Sequence, residues 1–164
     1  MGLKMNITLI AVGKMKEAYL LDGLEDYVDR IKHYCNLDII EVDPARSKHK
    51  KNDSQIEKIK EEEGKTILDK LPDGKNYIIA LDRQGKPVTS EGLAKSIKNL
   101  QVRGESNISF IIGGSHGLSE EVLNKSDYKM SLSYMTFTHQ MSRLILLEQL
   151  YRAFKILNNE PYHK

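Results

Sequence analysis

Ile108 to Leu132 reads ISFIIGGSHGLSEEVLNKSDYKMSL, and the order of its parts decides the fold class. An apolar run, Ile108 to Ile112, meets the cluster Gly113-Gly114-Ser115-His116-Gly117, as a buried strand running into a turn would. Ser119 then caps a short helix whose first turn holds Glu120 and Glu121, where acidic side chains favour the helix dipole. Tyr128 to Leu132 is strand-like again. Strand, crossover helix and strand form the repeating unit of a parallel sheet.

The same alternation extends in both directions. Upstream, Met5 to Val12 is strand-like and stops at the break Gly13-Lys14. Glu17 to Tyr34 carries a helical stripe at Leu20, Leu21, Leu24, Tyr27, Val28 and Ile31. Leu37 to Val42 is a second strand, ended by Asp43-Pro44. Ser54 with Glu57 predicts a capping box opening a helix to about Leu71, and Pro72-Asp73-Gly74 predicts a turn. Tyr77 to Leu81 is the third strand, followed by a loop with Gly85 and Pro87 and by a helix capped at Ser90 and running to about Val102. Downstream, a loop from Ser133 to about Thr138 leads into a long helix ending at Leu157. The expectation is an α/β fold with a mainly parallel sheet and helices on both faces, 1–164 forming one domain. The last helix is apolar nearly all round, which predicts burial on more than one side: against the sheet and a second subunit, or centrally within one chain.

Composition narrows the class. The 164 residues are 40% hydrophobic and 29% charged, an ordinary globular balance. One cysteine, Cys35, excludes an intramolecular disulfide framework and suits a reducing cytoplasm. No apolar run approaches the roughly 20 residues of a membrane helix, and the N-terminus has no cleavage pattern. A net charge of +2 does not announce nucleic-acid binding. Between Pro44 and Lys60, however, Arg46, Lys48, Lys50, Lys51, Lys58 and Lys60 face two acidic residues, as a phosphate-facing patch or a solvated loop.

Three segments are candidates for chemistry. The glycine cluster lies where ligands of open α/β sheets sit, yet it is neither GxGxxG nor a phosphate loop, and position 133 is serine, not a ribose-binding acid. Leu132-Ser133-Tyr134-Met135-Thr136-Phe137-Thr138-His139 is a strand-to-helix loop suited to wrapping a flat heterocycle. The tail places Tyr162, His163 and Lys164 after a helix-ending proline: an aromatic ring, an imidazole and a cation suit an unpaired base and its phosphate. The histidines (His33, His49, His116, His139, His163) lack metal-ligand spacing, so no metal is expected. GGSHG is not a nucleophile elbow, and Glu148 reads as an ion pair with Arg152.

At these residues the chain resembles a known family along essentially its whole length. FIIGGSHGLSEEVL, LSYMTFTHQM, LEQLYRAFKIL and NNEPYHK, with the start ITLIAVGKMKEAYL, look like the RlmH family. These are SPOUT-class methyltransferases that modify N3 of a pseudouridine in large-subunit (23S) ribosomal RNA. The resemblance implies a C-terminal trefoil knot and S-adenosyl-L-methionine as cofactor, bound at Leu81, Gly113 and the loop Leu132, Ser133, Tyr134, Met135, Thr136 and Phe137. It implies a cytoplasmic homodimer acting on the assembled ribosome, with no membrane or DNA partner. Tyr162, His163 and Lys164 then meet the RNA base. Either a base takes the N3 proton, for which His163 is the tail residue with a suitable ordinary pKa, or cationic groups stabilise the imide anion. Arg143 and Arg152 are candidates for RNA contact across the dimer. Family members often have proline where this chain has Thr138, and His116 stands at a variable position. Two other readings compete: a non-catalytic ribosome- or RNA-binding module using the basic stretch, and a nucleotide hydrolase with its site at Gly113.

Overall fold

The computed structural model describes residues 4–46 and 52–164. Its elements alternate: β1 (Asn6–Val12), α1 (Ala18–Ile31), β2 (Asn36–Val42), α2 (Asp53–Asp69), β3 (Tyr77–Pro87), α3 (Ser90–Val102), β4 (Asn107–Ile112), α4 (Glu120–Lys125), β5 (Tyr128–Ser131) and α5 (His139–Leu157). The five strands form one sheet in the order β2-β1-β4-β3-β5, and every neighbouring pair is parallel. Strand periodicity divides the core between two layers. Ile7, Leu9 and Phe110 face α1, α3 and α5, whereas Ile10, Val12 and Ile111 face α2 and α4. Because the middle strands are buried on both faces, they read as continuous apolar runs rather than alternating ones. The expected parallel α/β architecture is therefore present. Among the described residues no helix is long and apolar enough to cross a membrane.

Three boundaries depart from the sequence reading. The capping box of α2 is Asn52 with Gln55, not Ser54 with Glu57, because Asn52 accepts from the Gln55 amide at 2.9 Å and receives its side chain in return. Thr89, not Ser90, caps α3. The third difference is larger. β3 runs on to Pro87 through a stretch expected to be a loop, and re-pairs with β5 after a register shift between Leu81 and Lys86. Gly85 permits this, since a Cβ there would lie 2.8 Å from the backbone of Lys129. Asp82-Arg83-Gln84-Gly85-Lys86 carries none of the β-branched or aromatic residues that mark a strand, so the extension had no local signal.

α5 lies on the sheet between α1 and α3, and none of its 19 residues is fully exposed. Leu146, Leu147, Leu150 and Ala153 are completely buried. Met141, Leu144, Ile145, Ile156 and Leu157 are only partly buried, so packing within one chain covers part of the all-round apolar surface.

Of the basic stretch, Lys48, Lys50 and Lys51 lie outside the described residues. Arg46 and Lys58 are exposed, and Lys60 pairs with Glu57 at 3.1 Å.

Candidate active site

The C-terminal ends of β3, β4 and β5 and the first turn of α5 surround a cavity of about 720 Å³. Leu81, Gly113, Leu132, Ser133, Met135, Thr136 and Phe137 all line it, so the glycine cluster and the loop after β5 share one site. Tyr134 does not line it and is 87% exposed. The volume falls within the roughly 300–1,000 Å³ typical of small-molecule sites.

The glycine cluster is a closed turn. Gly114 and Gly117 form an isolated bridge, Gly117 donates to the Gly114 carbonyl at 3.1 Å, and Gly117 has φ +86°. A Cβ on Gly113 would lie 2.8 Å from the Gly117 carbonyl carbon. Gly113 is therefore required by the turn as well as by the cavity it lines.

The loop after β5 is built to expose backbone. Ser131 Oγ donates to the Ser133 carbonyl at 2.9 Å, the Met135 amide donates to Ser133 Oγ at 3.0 Å, and Thr138 caps α5 through the Met141 amide. Arg83 Nη1 donates to Thr136 Oγ1 at 2.7 Å, tying the extended end of β3 to the loop. Among the described residues, no backbone–backbone hydrogen bond uses residues 134–137. Most of their amides and carbonyls thus remain for a ligand edge.

Arg143, expected at an RNA surface, is instead 1% exposed. It donates to Glu41 Oε2 at 2.6 Å and to the Gly13 carbonyl at 3.0 Å, tethering α5 to β2 and to the loop after β1. Beside it stands His139, on the cavity wall. Burial, then the charges of Arg143 and Lys16, hold the His139 imidazole below its ordinary pKa, so it is neutral at neutral pH.

The tail is docked on its own chain and does not line the cavity. The Tyr162 ring meets Tyr151 edge-on at 4.8 Å, and its hydroxyl donates to Glu148 Oε1 at 3.1 Å. Burial pushes the Tyr162 phenol well above its ordinary pKa, which keeps it a donor. Glu148 does pair with Arg152, as expected, through both Nε and Nη2. Arg152 Nη1 lies 3.2 Å from His163 Nδ1, and His163 Nε2 lies 2.7 Å from Glu91 Oε1. A guanidinium only donates, so Nδ1 accepts and the ring's lone pair is occupied. Docked this way, His163 has no free basic nitrogen, and Arg152 is committed within the chain.

The sequence reading missed Asp82, Arg83, Gln140 and Ser142 on the cavity wall, whereas His139 ended the loop it singled out. The first two arrive through the unsignalled extension of β3. The others sit in the first turn of α5, directly after a loop already singled out, and that adjacency was the available signal.

Comparison with known proteins agrees with this geometry. A family model described as "Predicted SPOUT methyltransferase" matches residues 5–163. The chain is 57% identical over 160 residues to the ribosomal RNA large subunit methyltransferase H of Halothermothrix orenii, covering 98% of this chain and 100% of the relative. The protein of the same description from Clostridioides difficile is 52% identical with the same coverage. Among solved structures, a probable methylase family protein from Haemophilus influenzae shares the fold with TM-score 0.51 at 16% identity, covering 97% of this chain and 70% of that one. The chain belongs to the SPOUT methyltransferase family, and within it to the RlmH group.

Proposed function

We propose, from that membership, that the chain is a single-domain enzyme that methylates 23S ribosomal RNA, transferring the methyl group of S-adenosylmethionine to N3 of a pseudouridine on the assembled ribosome. One observation carries the reading: two segments remote in sequence, 113–117 and 132–137, close on one cavity at the C-terminal end of a parallel sheet. The cavity fits the cofactor by its volume, its Gly113 cradle and the backbone of 135–137, of which only the Met135 amide is bonded among the described residues. That backbone would meet the adenine edge, with Leu81, Leu132 and Phe137 enclosing the ring. When bound, the cofactor supplies an electrophilic methyl on a sulfonium.

The protein's own tasks are alignment and proton handling. A nucleophile must lie in line behind the methyl, so positioning and exclusion of water contribute much of the acceleration. The imide N–H must also lose its proton. Tyr162, His163 and Lys164 are the groups we assign to the base, and their absence from their own cavity supports completion of the site by the tail of a second copy. A homodimer is further supported by Tyr19, Tyr134 and Met135, which are 68%, 87% and 72% exposed. In such a dimer His163 must leave Arg152 before it can accept a proton.

The topology favours a trefoil knot. β5 lies outside β3, whereas α5 lies beyond α3, against α1, so the chain leaving β5 must cross the connection between β3 and α3.

The test is calorimetric titration with S-adenosylhomocysteine, followed by methylation of ribosomes with labelled cofactor. Micromolar binding and one methyl per particle are expected. No binding to the folded protein would overturn the reading and favour a non-catalytic ribosome-binding module. Met135→Asp is a better control than a Gly113 variant, because a side chain at Gly113 disrupts the turn itself.

A further inference from the structure

Resting on that function, we infer that the loop after β1, residues 13–17, is a preformed phosphate-contacting element in which Lys14 and Lys16 grip the RNA backbone beside the target nucleotide. This loop was read as a mere break between strand and helix, and the cofactor site does not use it. Its backbone is nevertheless fixed from several sides. Gly13 donates to the Val42 carbonyl at 2.8 Å, and Met15 donates to Glu41 Oε2 at 3.0 Å. The amides of Lys16 and Glu17 share Gln140 Oε1, at 3.0 and 3.4 Å. Arg143 holds the Gly13 carbonyl from below.

Two consequences follow. First, the loop is locked to the cavity wall, since Gln140 lines the cavity and His139 packs on Gly13. Second, the side chains are left over. Lys14 and Lys16 are exposed, and neither has a salt bridge among the described residues. Arg83, the cation on the cavity wall itself, is by contrast engaged by Thr136. Two ammonium groups on a rigid support, joined to the cavity wall through Gln140 and His139, have the sign to meet the phosphates of an RNA strand laid across that wall. Pre-organisation lowers the ordering cost of such contacts.

The test compares the wild type with Lys14→Ala/Lys16→Ala and with Lys95→Ala/Lys98→Ala, an equal charge change on exposed positions of α3. Methylation of ribosomes is followed at several salt concentrations, with sedimentation of protein with ribosomes in parallel. Removing two phosphate contacts should raise KM about five- to tenfold and reduce the slope of log KM against log salt by roughly 2. kcat and S-adenosylhomocysteine affinity should hold, and the α3 variant should behave as wild type. An unchanged KM and slope, or an equal shift in the α3 variant, would overturn the assignment. If the wild type methylates nothing, the function fails separately. Sedimentation then decides the lysines, and equal ribosome binding by wild type and loop variant at every salt counts against them.

Discussion

The loop after β1 and the loop after β5 stand at the same end of the sheet and are built in opposite ways. In 13–17 the backbone is consumed, by Val42, Glu41, Gln140 and Arg143, and the lysine side chains are free. In the backbone of 134–137 only the Met135 amide is bonded among the described residues, while side chains of the surrounding residues do the anchoring through Ser133, Thr138 and Arg83. A flat heterocycle is read by amides and carbonyls at fixed positions, whereas a phosphate chain is held by charge at the ends of long side chains. Under the proposed function, the two constructions would divide one reaction between a cofactor wall and an RNA wall.

The sharpest way to break the contrast is to cut the tether of the first loop. Arg143→Met should destabilise the fold by about 3 kcal/mol in urea denaturation, because it leaves the Gly13 carbonyl without its side-chain donor and Glu41 with only the Met15 amide. A variant as stable as wild type would mean the loop does not depend on α5. Next in size is Gly113→Ala. Its Cβ meets the Gly117 carbonyl at 2.9 Å, so the turn must shift. A loss of about 1–3 kcal/mol is expected, with S-adenosylhomocysteine affinity down about tenfold or more. Retained affinity would detach the cofactor from this turn. Arg83→Ala should leave stability within about 0.5 kcal/mol, since the side chain is exposed, yet weaken S-adenosylhomocysteine binding several-fold by freeing the Thr136 end of the second loop. Unchanged binding would show that the clasp has no part in shaping the wall.

Much of this was legible in the residues themselves. The parallel α/β order followed from apolar runs alternating with capped helical stripes, and Ser119 before Glu120-Glu121 marked α4 correctly. The cofactor wall followed from resemblance: nothing in the spacing of Gly113 and Leu132 says that β5 returns to the far side of β3, which is a property of strand order. Arg143 was misplaced for a similar reason. The expected RNA contact had no local sign against it, because its partner Glu41 lies 102 residues away on a strand where alternation suggests solvent. That the tail docks on its own chain has no local signal, because Tyr151, Tyr27 and Glu148, which receive Tyr162, belong to two different helices.

The smallest effect tests where the two loops meet, at His139. Burial is the main reason its pKa lies below the ordinary 6.5, with Arg143 and Lys16 adding repulsion. The unfolded chain therefore takes up a proton as pH falls through about 6.5, while the folded chain resists. Stability contributed by the neutral ring is fully present above that pH and is lost below it. The imidazole is only half-buried, so solvent screening keeps the effect small. Between pH 7.5 and 5.5 the wild type should lose about 1–3 °C more in Tm than His139→Gln. Adding Lys16→Ala to the wild type should shrink that difference, because one of the two repelling charges is gone. An identical pH response in wild type and His139→Gln would mean that the junction of the two loops does not sense this ring.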